Sequence, residues 1–418
     1  MTSLTRPIPL QWRRSSGVRV ALAHLITRTA LARVPVGVRL PDGTSFTRSE
    51  PPSDAPVIEL VHPDALLRRI AESPKIGIGE GYTAGDWRPG EGTDLVEVLR
   101  PFAERLRTVV PPYLTRLRRF VDRPIPSSER NSPAGSRRNI EAHYDLSNEL
   151  FAAFLDETMS YSAALFDDRR PLAGQDLATA QVRKVHAMLD LADVRAGSRV
   201  LEIGTGWGTL AIEAARRGAR VTTVTLSTEQ AELAQRRVAA AGSADRVDIR
   251  VQDYREVTGS YDAILSVEMI EAVGEEYWPT YFGALDELLA PGGVVALQAI
   301  LMDHDRYRAT RRSYGWIQKH IFPGGMIPSL RAIETIAQRH TGLRVDRADA
   351  FGEHYAETLR RWRRAFDDSW PQIAALGFDE TFRRTWEFYL AYCEAGFDTG
   401  YLDVARIRLS RGGRGERW

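Results

Sequence analysis

The sequence predicts an α/β fold built on a doubly wound, mostly parallel sheet, with a small α+β domain in front of it. Three observations carry this. An apolar strand, Val200-Leu201-Glu202-Ile203, runs into glycines at alternate positions, Gly204, Gly206 and Gly208, and then into a helix. Strand and helix patterns alternate from Ser198 to Ile300, the βαβ rhythm of a parallel sheet. At 418 residues the chain exceeds the usual size of one core, so two domains are expected.

At the N-terminus, Arg13-Arg14 and the apolar run to Ala32 have the outline of an export signal. Arg19, His24 and Arg28 interrupt that run, so it fails as a signal core and as a membrane span, which needs about 20 nearly uncharged residues. Val18 to Val34 reads instead as an amphipathic helix, packed on its own domain or lying on a membrane surface. Val36 to Phe46 reads as strand, Pro41-Asp42-Gly43 turn, strand. A strand over Val57 to Val61 and helices over 64–72 and 95–109 complete an N-terminal domain of residues 1–115. Residues 116–138 are rich in arginine, proline and serine and lack apolar periodicity, which predicts a linker. Its charge suits either a solvated connector or contact with anionic lipid headgroups.

The main domain is expected over 139–418. Its strands are Ser198 to Ile203, Arg220 to Thr225, Val247 to Val251, Tyr261 to Val267 and Val294 to Ile300. Between them run a helix to about Arg217, a helix capped by Ser227 with Glu229 and Gln230 in its first turn, and a helix from Tyr277 to Leu289 that stops at Pro291-Gly292-Gly293. Ligands in such sheets bind beyond the carboxyl ends of the strands, so the informative loops begin at Gly204, Thr225, Gln252, Val267 and Ile300. Aromatic residues concentrated after Tyr277 predict a lid over about 302–395.

Glycine has no Cβ, so a ligand can lie against the main chain of the 204–208 turn. A dinucleotide fingerprint wants G-x-G-x-x-G and an acid roughly 20 residues on. Here the third glycine comes one residue early and the next strand ends at Thr225, which disfavours NAD. The spacing suits S-adenosylmethionine, which has no pyrophosphate to cradle. The 56 basic and 55 acidic residues balance to +1, arguing against a nucleic-acid-binding surface. Only Lys75, Lys184 and Lys319 are lysines. The single cysteine, Cys393, excludes an internal disulfide and a cysteine-built metal site; no metal is expected, and a reducing cytoplasm fits.

Short motifs in fixed order then carry a resemblance over most of the chain: IGIGEGYTAGDW from Ile76, HYDLSN from His143, Met159 to Phe166, the glycine loop, VTLSTEQ from Val224, QDYRE from Gln252, EMIEAVG from Glu268, IFPGG from Ile321 and FGEHY from Phe351. Together they resemble the cyclopropane fatty acid synthase family of S-adenosylmethionine-dependent methyltransferases, and in particular relatives that make precursors of 10-methyl fatty acids. The resemblance implies a Rossmann-like class I methyltransferase fold, a membrane phospholipid as substrate, peripheral membrane contact, and the dimers common in the family. It puts cofactor contacts on Tyr161, Ser162, Glu202, Gly204, Gly206, Gly208, Thr225, Leu226, Gln230, Asp253, Tyr254, Arg255 and Val267. Substrate contacts are expected at Tyr144, Ile270, Tyr281, Trp316 and Phe322.

Family members transfer a methyl group to the cis double bond of an acyl chain. An alkene is a weak nucleophile, so the chemistry needs a strong electrophile and a dry channel around the cationic intermediate. The cation must then lose a proton, for which the family is thought to use a bound bicarbonate held by a glutamate, a tyrosine and groups around a cysteine and a histidine. This chain keeps the glutamate as Glu271, the tyrosine as Tyr355 and the matching Ile300, but has Ala163 for the cysteine, Gln298 for the histidine and Glu268 in place of a small residue. Two readings of Glu268 stand: it fills the bicarbonate's place and acts as base, alone or paired with Glu271 at i,i+3 spacing, or it caps a helix or faces solvent. A moved base can change which proton leaves, favouring an exocyclic 10-methylene product over a cyclopropane ring, and a methylene product calls for a separate nicotinamide-dependent reductase. The competing functions are a non-catalytic lipid-binding shell and an oxygen or nitrogen methyltransferase.

Overall fold

A computed structural model of the chain describes residues 33–46, 54–105 and 147–412, with positions 24, 27, 28, 31, 126, 131, 132 and 135 in addition. Most of the expected amphipathic helix at 18–34, most of the linker at 116–138, and Tyr144 lie outside the described residues. By internal contacts the chain divides into two units, one of residues 1–125, 312–321 and 366–401, the other of residues 126–311, 322–365 and 402–418. This differs from a single lid over 302–395, because that span is shared between the units.

In the first unit a three-stranded sheet runs β1 (Gly37–Arg39), β2 (Val57–Leu60), β3 (Trp87–Pro89). The expected hairpin over 36–46 is reduced to one antiparallel bridge, Arg39 to Ser45, and β1 pairs in parallel with β2 instead. Helices α1 (Pro63–Glu72), α2 (Pro74–Thr83) and α3 (Leu95–Arg105) follow, the first two opened by proline at the first turn, where its missing N–H costs nothing. The glycines of IGIGEG serve packing. A Cβ on Gly77 would sit 2.4 Å from the Arg69 backbone, and one on Gly79 would sit 2.5 Å from the Trp316 ring. Trp316 in turn packs edge-on against Phe388 with centroids 4.7 Å apart.

The second unit holds a seven-stranded sheet in the order β6-β5-β4-β7-β8-β10-β9. The strands are β4 (Arg199–Ile203), β5 (Arg220–Thr225), β6 (Val247–Val251), β7 (Tyr261–Val267), β8 (Leu289–Met302), β9 (Leu343–Ala350) and β10 (Leu402–Arg411). Strands β4 to β8 are parallel, whereas β10 runs antiparallel to both β8 and β9. After β4 the chain steps outward through β5 and β6, then returns to β7 on the other side. That reversal opens a crevice at the carboxyl end of β4. Two differences from the expected strands have a clear cause. β8 begins at Leu289 rather than Val294 because the Pro-Gly-Gly segment is taken up within the strand, with a register shift between Tyr261 and Ala263 on its neighbour. β9, inside the expected lid, is an edge strand of the main sheet.

The helices that build the site are α4 (Asn148–Phe154), α5 (Leu177–Leu191), α6 (Thr209–Arg216), α7 (Thr228–Ala240), α8 (Ile270–Val273), α9 (Trp278–Leu288) and α10 (Gly352–Asp368). Val185, Met188 and Leu189 of α5 and Leu210 and Ala211 of α6 pack over Val200 and Leu265 in one buried cluster. Each such large side chain is worth about 1.5–3 kcal/mol on burial, which holds the glycine turn against the sheet end. On α5 the buried face also carries Gln181 and Lys184, polar groups that need an explanation.

Candidate active site

The glycine turn leaves β4 with the Gly204 and Thr205 amides both donating to the Val224 carbonyl, at 3.0 and 3.2 Å. Gly206 has φ +52°, and a Cβ there would meet nothing within 4 Å, so its backbone lines open pocket. Gly208 is different: it caps α6 with φ +88°, its Cβ position lies 3.3 Å from the Ala234 Cβ, and it does not line the pocket. Its role is close packing of α6 against α7. Of the expected cofactor contacts, Tyr161, Ser162, Glu202, Gly204, Gly206, Thr225, Leu226, Gln230, Asp253, Tyr254, Arg255 and Val267 line this one pocket, together with Met159, Lys184 and Asn131.

Local sequence explains the polar walls. Ser227 caps α7 by accepting the Gln230 amide at 3.2 Å, while the Thr225 hydroxyl donates to Gln230 Oε1 at 3.1 Å and fixes that side chain. Glu202 sits at the end of β4 with the Thr223 hydroxyl 2.7 Å from its carboxylate, and burial pushes its pKa up to about 8. Asp253 is held by Arg255 through contacts of 2.6 and 2.8 Å. Tyr161 stands in an aromatic wall, 5.2 Å from Phe151 and 5.3 Å from Trp362 between centroids.

Of the two carboxylates, Glu268 lines the pocket and Glu271 does not. Glu268 has φ +50°, rare for a residue with a side chain and costing on the order of 1–3 kcal/mol. It therefore stands outside α8, so the premise that Glu268 and Glu271 share a helical turn fails. Instead the Glu268 carboxylate collects three donors: the Ala163 amide at 2.8 Å, Gln298 Nε2 at 2.8 Å and the Tyr355 hydroxyl at 2.7 Å. Glu271 accepts from the Ile300 amide through one oxygen, while the other is buried without a hydrogen-bond partner. Burial raises the pKa of Glu268, opposed by its three donors and by Lys184. Burial and the negative charge of Glu268 push Glu271 up to about 8.

Glu271 is therefore the protonated member of the pair at neutral pH. A carboxyl whose pKa is raised by folding gives its full stability contribution below about pH 4.5 and loses it as pH rises toward 8. Glu271→Gln should remove that loss: denaturant titration at pH 5 and pH 8 should show wild type weakening on the order of a few kcal/mol more than the variant. An equal pH dependence in both proteins would contradict the buried, neutral assignment.

The expected substrate residues are not brought together at this pocket. Ile270 is buried and its carbonyl accepts from Trp278 Nε1 at 3.1 Å; Tyr281 packs between Tyr254 and Phe282 at 5.5 and 5.4 Å. The Phe322 carbonyl closes a turn to the Gly325 amide, and Trp316 belongs to the first unit. Met269, Ala272 and Val273 line the pocket instead, since the single turn of α8 buries Ile270. Lys184 was not singled out from the sequence. A lone lysine inside the apolar repeat of α5 was the available signal.

A parallel sheet with its crevice at β4, a bare glycine turn, an acid at the strand end and a fixed glutamine after β5 define an S-adenosylmethionine-dependent methyltransferase of class I; the relatives extend this to a fatty acid methyltransferase. A family model described as mycolic acid cyclopropane synthetase matches residues 131–407, and the chain belongs to that family. It is 51% identical over 396 residues to the tuberculostearic acid methyltransferase UfaA1 of Mycobacterium tuberculosis, covering 94% of this chain and 92% of that protein. It is 32% identical over 358 residues to the cyclopropane-fatty-acyl-phospholipid synthase of Escherichia coli, covering 85% and 88%. Among solved structures, mycolic acid cyclopropane synthase CmaA1 complexed with SAH and CTAB matches with a TM-score of 0.59 at 29% identity, covering 65% of this chain and 97% of that one. The pocket fits the cofactor, the open Gly206 backbone giving room for it. Bicarbonate does not fit beside Glu268 in the same way, because the Ala163, Gln298 and Tyr355 donors are already engaged.

Proposed function

We propose that this enzyme methylates the cis double bond of an oleoyl-type chain in a phospholipid and that Glu268 receives the proton that leaves, giving a 10-methylene acyl product. The observation that carries the reading is the Glu268 carboxylate, which lines the pocket and is held by three donors. S-adenosylmethionine, when bound, supplies the electrophilic methyl group. The aromatic wall of Tyr161, Phe151 and Trp362 excludes water from the developing cation. Tyr355, Gln298 and the Ala163 amide keep Glu268 oriented and oppose the rise that burial gives its pKa, whereas the charge of Glu268 adds to the rise at Glu271, so Glu268 is the member of the pair placed to take the proton.

On the substrate, the alkene carbon gains a methyl group and its neighbour becomes cationic. A hydride shift followed by loss of a methyl proton to Glu268 gives the methylene branch, whereas direct loss closes a ring. The relative at 51% identity is named for tuberculostearic acid rather than for a cyclopropane product, which supports the branched outcome. Mass spectrometry of lipids from cells expressing the enzyme, with ozonolysis, should reveal a mass gain of one CH2 and a methylene that cleaves to a ketone. A product resistant to ozone at that carbon ends the methylene reading. Saturating the branch needs two electrons and two protons, so a separate nicotinamide-dependent reductase follows from this product. Among the described residues no helix is long and apolar enough to cross a membrane, and the phospholipid would be met by peripheral contact.

A further inference from the structure

Lys184 is a buried cation that the chemistry above leaves unused. Its ammonium donates to Ser162 Oγ at 2.6 Å, and among the described residues it has no ion-pair partner. Such burial is costly unless a counter-charge arrives. Both residues line the cofactor pocket, with relative exposures of 3% and 5%. Gln181, one turn earlier on α5, clamps the same segment by donating to the Ser162 carbonyl at 2.9 Å. Because Ser162 Oγ accepts from Lys184, its own hydroxyl hydrogen is free for another acceptor. The other cation lining the pocket, Arg255, is already committed, through Nε and Nη2 to Asp253 and through Nη1 to the Asn131 carbonyl. The acids whose fields reach Lys184 are Glu268, Asp156 and Glu202, none within ion-pair distance, and burial brings its pKa down to about 8.

We propose that Lys184, acting through Ser162, is the positioning residue that supplies the counter-charge for the α-carboxylate of the bound S-adenosyl compound. Glu202, lining the same pocket, presents a carboxyl group that can accept from the ammonium of that zwitterion. The inference is independent of which lipid product forms.

The test is calorimetric titration of S-adenosylhomocysteine against 5′-methylthioadenosine, which keeps the nucleoside and thioether but lacks the amino-acid end. At pH 7, Lys184→Met should weaken S-adenosylhomocysteine about tenfold or more while leaving 5′-methylthioadenosine within about threefold, and Lys184→Arg should restore most of the loss. Protonated Lys184 favours the carboxylate, so wild-type affinity for S-adenosylhomocysteine should fall as pH rises through about 8, more steeply than in Lys184→Arg, which stays charged. Equal losses for both nucleosides, no loss for either, or matching pH curves in wild type and Lys184→Arg would overturn the assignment. The last comparison holds even if Lys184→Met fails to fold. Wild type binding neither nucleoside would instead count against the cofactor pocket itself.

Discussion

Replacing Glu268 by glutamine is expected to lower turnover by about 10²–10⁴-fold, the range for removing a positioned general base. Glutamine keeps the size of the side chain, and its amide oxygen can still accept from the Ala163 amide and Gln298 while its NH2 donates to the Tyr355 hydroxyl oxygen, so S-adenosylhomocysteine binding should stay within a few-fold. Loss of rate without loss of affinity separates a base from a structural group. Glu268→Ala goes further, since it frees all three donors around a space shaped for a planar oxyanion. Added bicarbonate should then restore part of the activity, although wild type in carbon-dioxide-free buffer needs none. In wild type the rate should climb as pH rises through the carboxyl pKa, at a value above the ordinary glutamate range because burial raises it. An active Glu268→Gln enzyme, or a wild type dependent on bicarbonate, would return Glu268 to a purely structural role.

Gly206→Val should abolish measurable cofactor binding, a loss of about 100-fold or more. Valine at φ +52° pays the left-handed penalty of roughly 1–2 kcal/mol, and its side chain stands in pocket space where the glycine leaves nothing within 4 Å. The comparison is Gly208→Ala. Its methyl would press on Ala234 at 3.3 Å, outside the pocket, so the expected effect is a lower melting temperature with S-adenosylhomocysteine affinity little changed. Thermal unfolding and titration of both variants check this, and a Gly206→Val protein that binds normally would remove the glycine turn from the cofactor site.

Much of the site was legible because it is written in short, local runs. The turn after β4, the Ser227 cap with Gln230 behind it, and the acid-tyrosine-arginine run from Asp253 each depend on neighbours within a few residues. The carboxylates were legible as residues but not as an arrangement. Spacing suggested one helical face, whereas the positive φ of Glu268 turns its side chain toward residues 105 positions before it and 30 and 87 positions after it. Lys184 was silent for a related reason: its partner Ser162 is 22 residues away, and a lysine in a helix reads by default as solvated.

By itself the sequence determined the parallel sheet, the glycine turn and the cofactor class, since periodicity and turn chemistry act over a few residues. Only the tertiary structure decided that β9 and β10 close the sheet, that α8 turns Ile270 into core, and that Glu268 rather than a shared helical pair gathers the donors. Burial, pairing of distant strands and the electrostatics of enclosed charges depend on which remote segments meet, and no local pattern encodes that meeting.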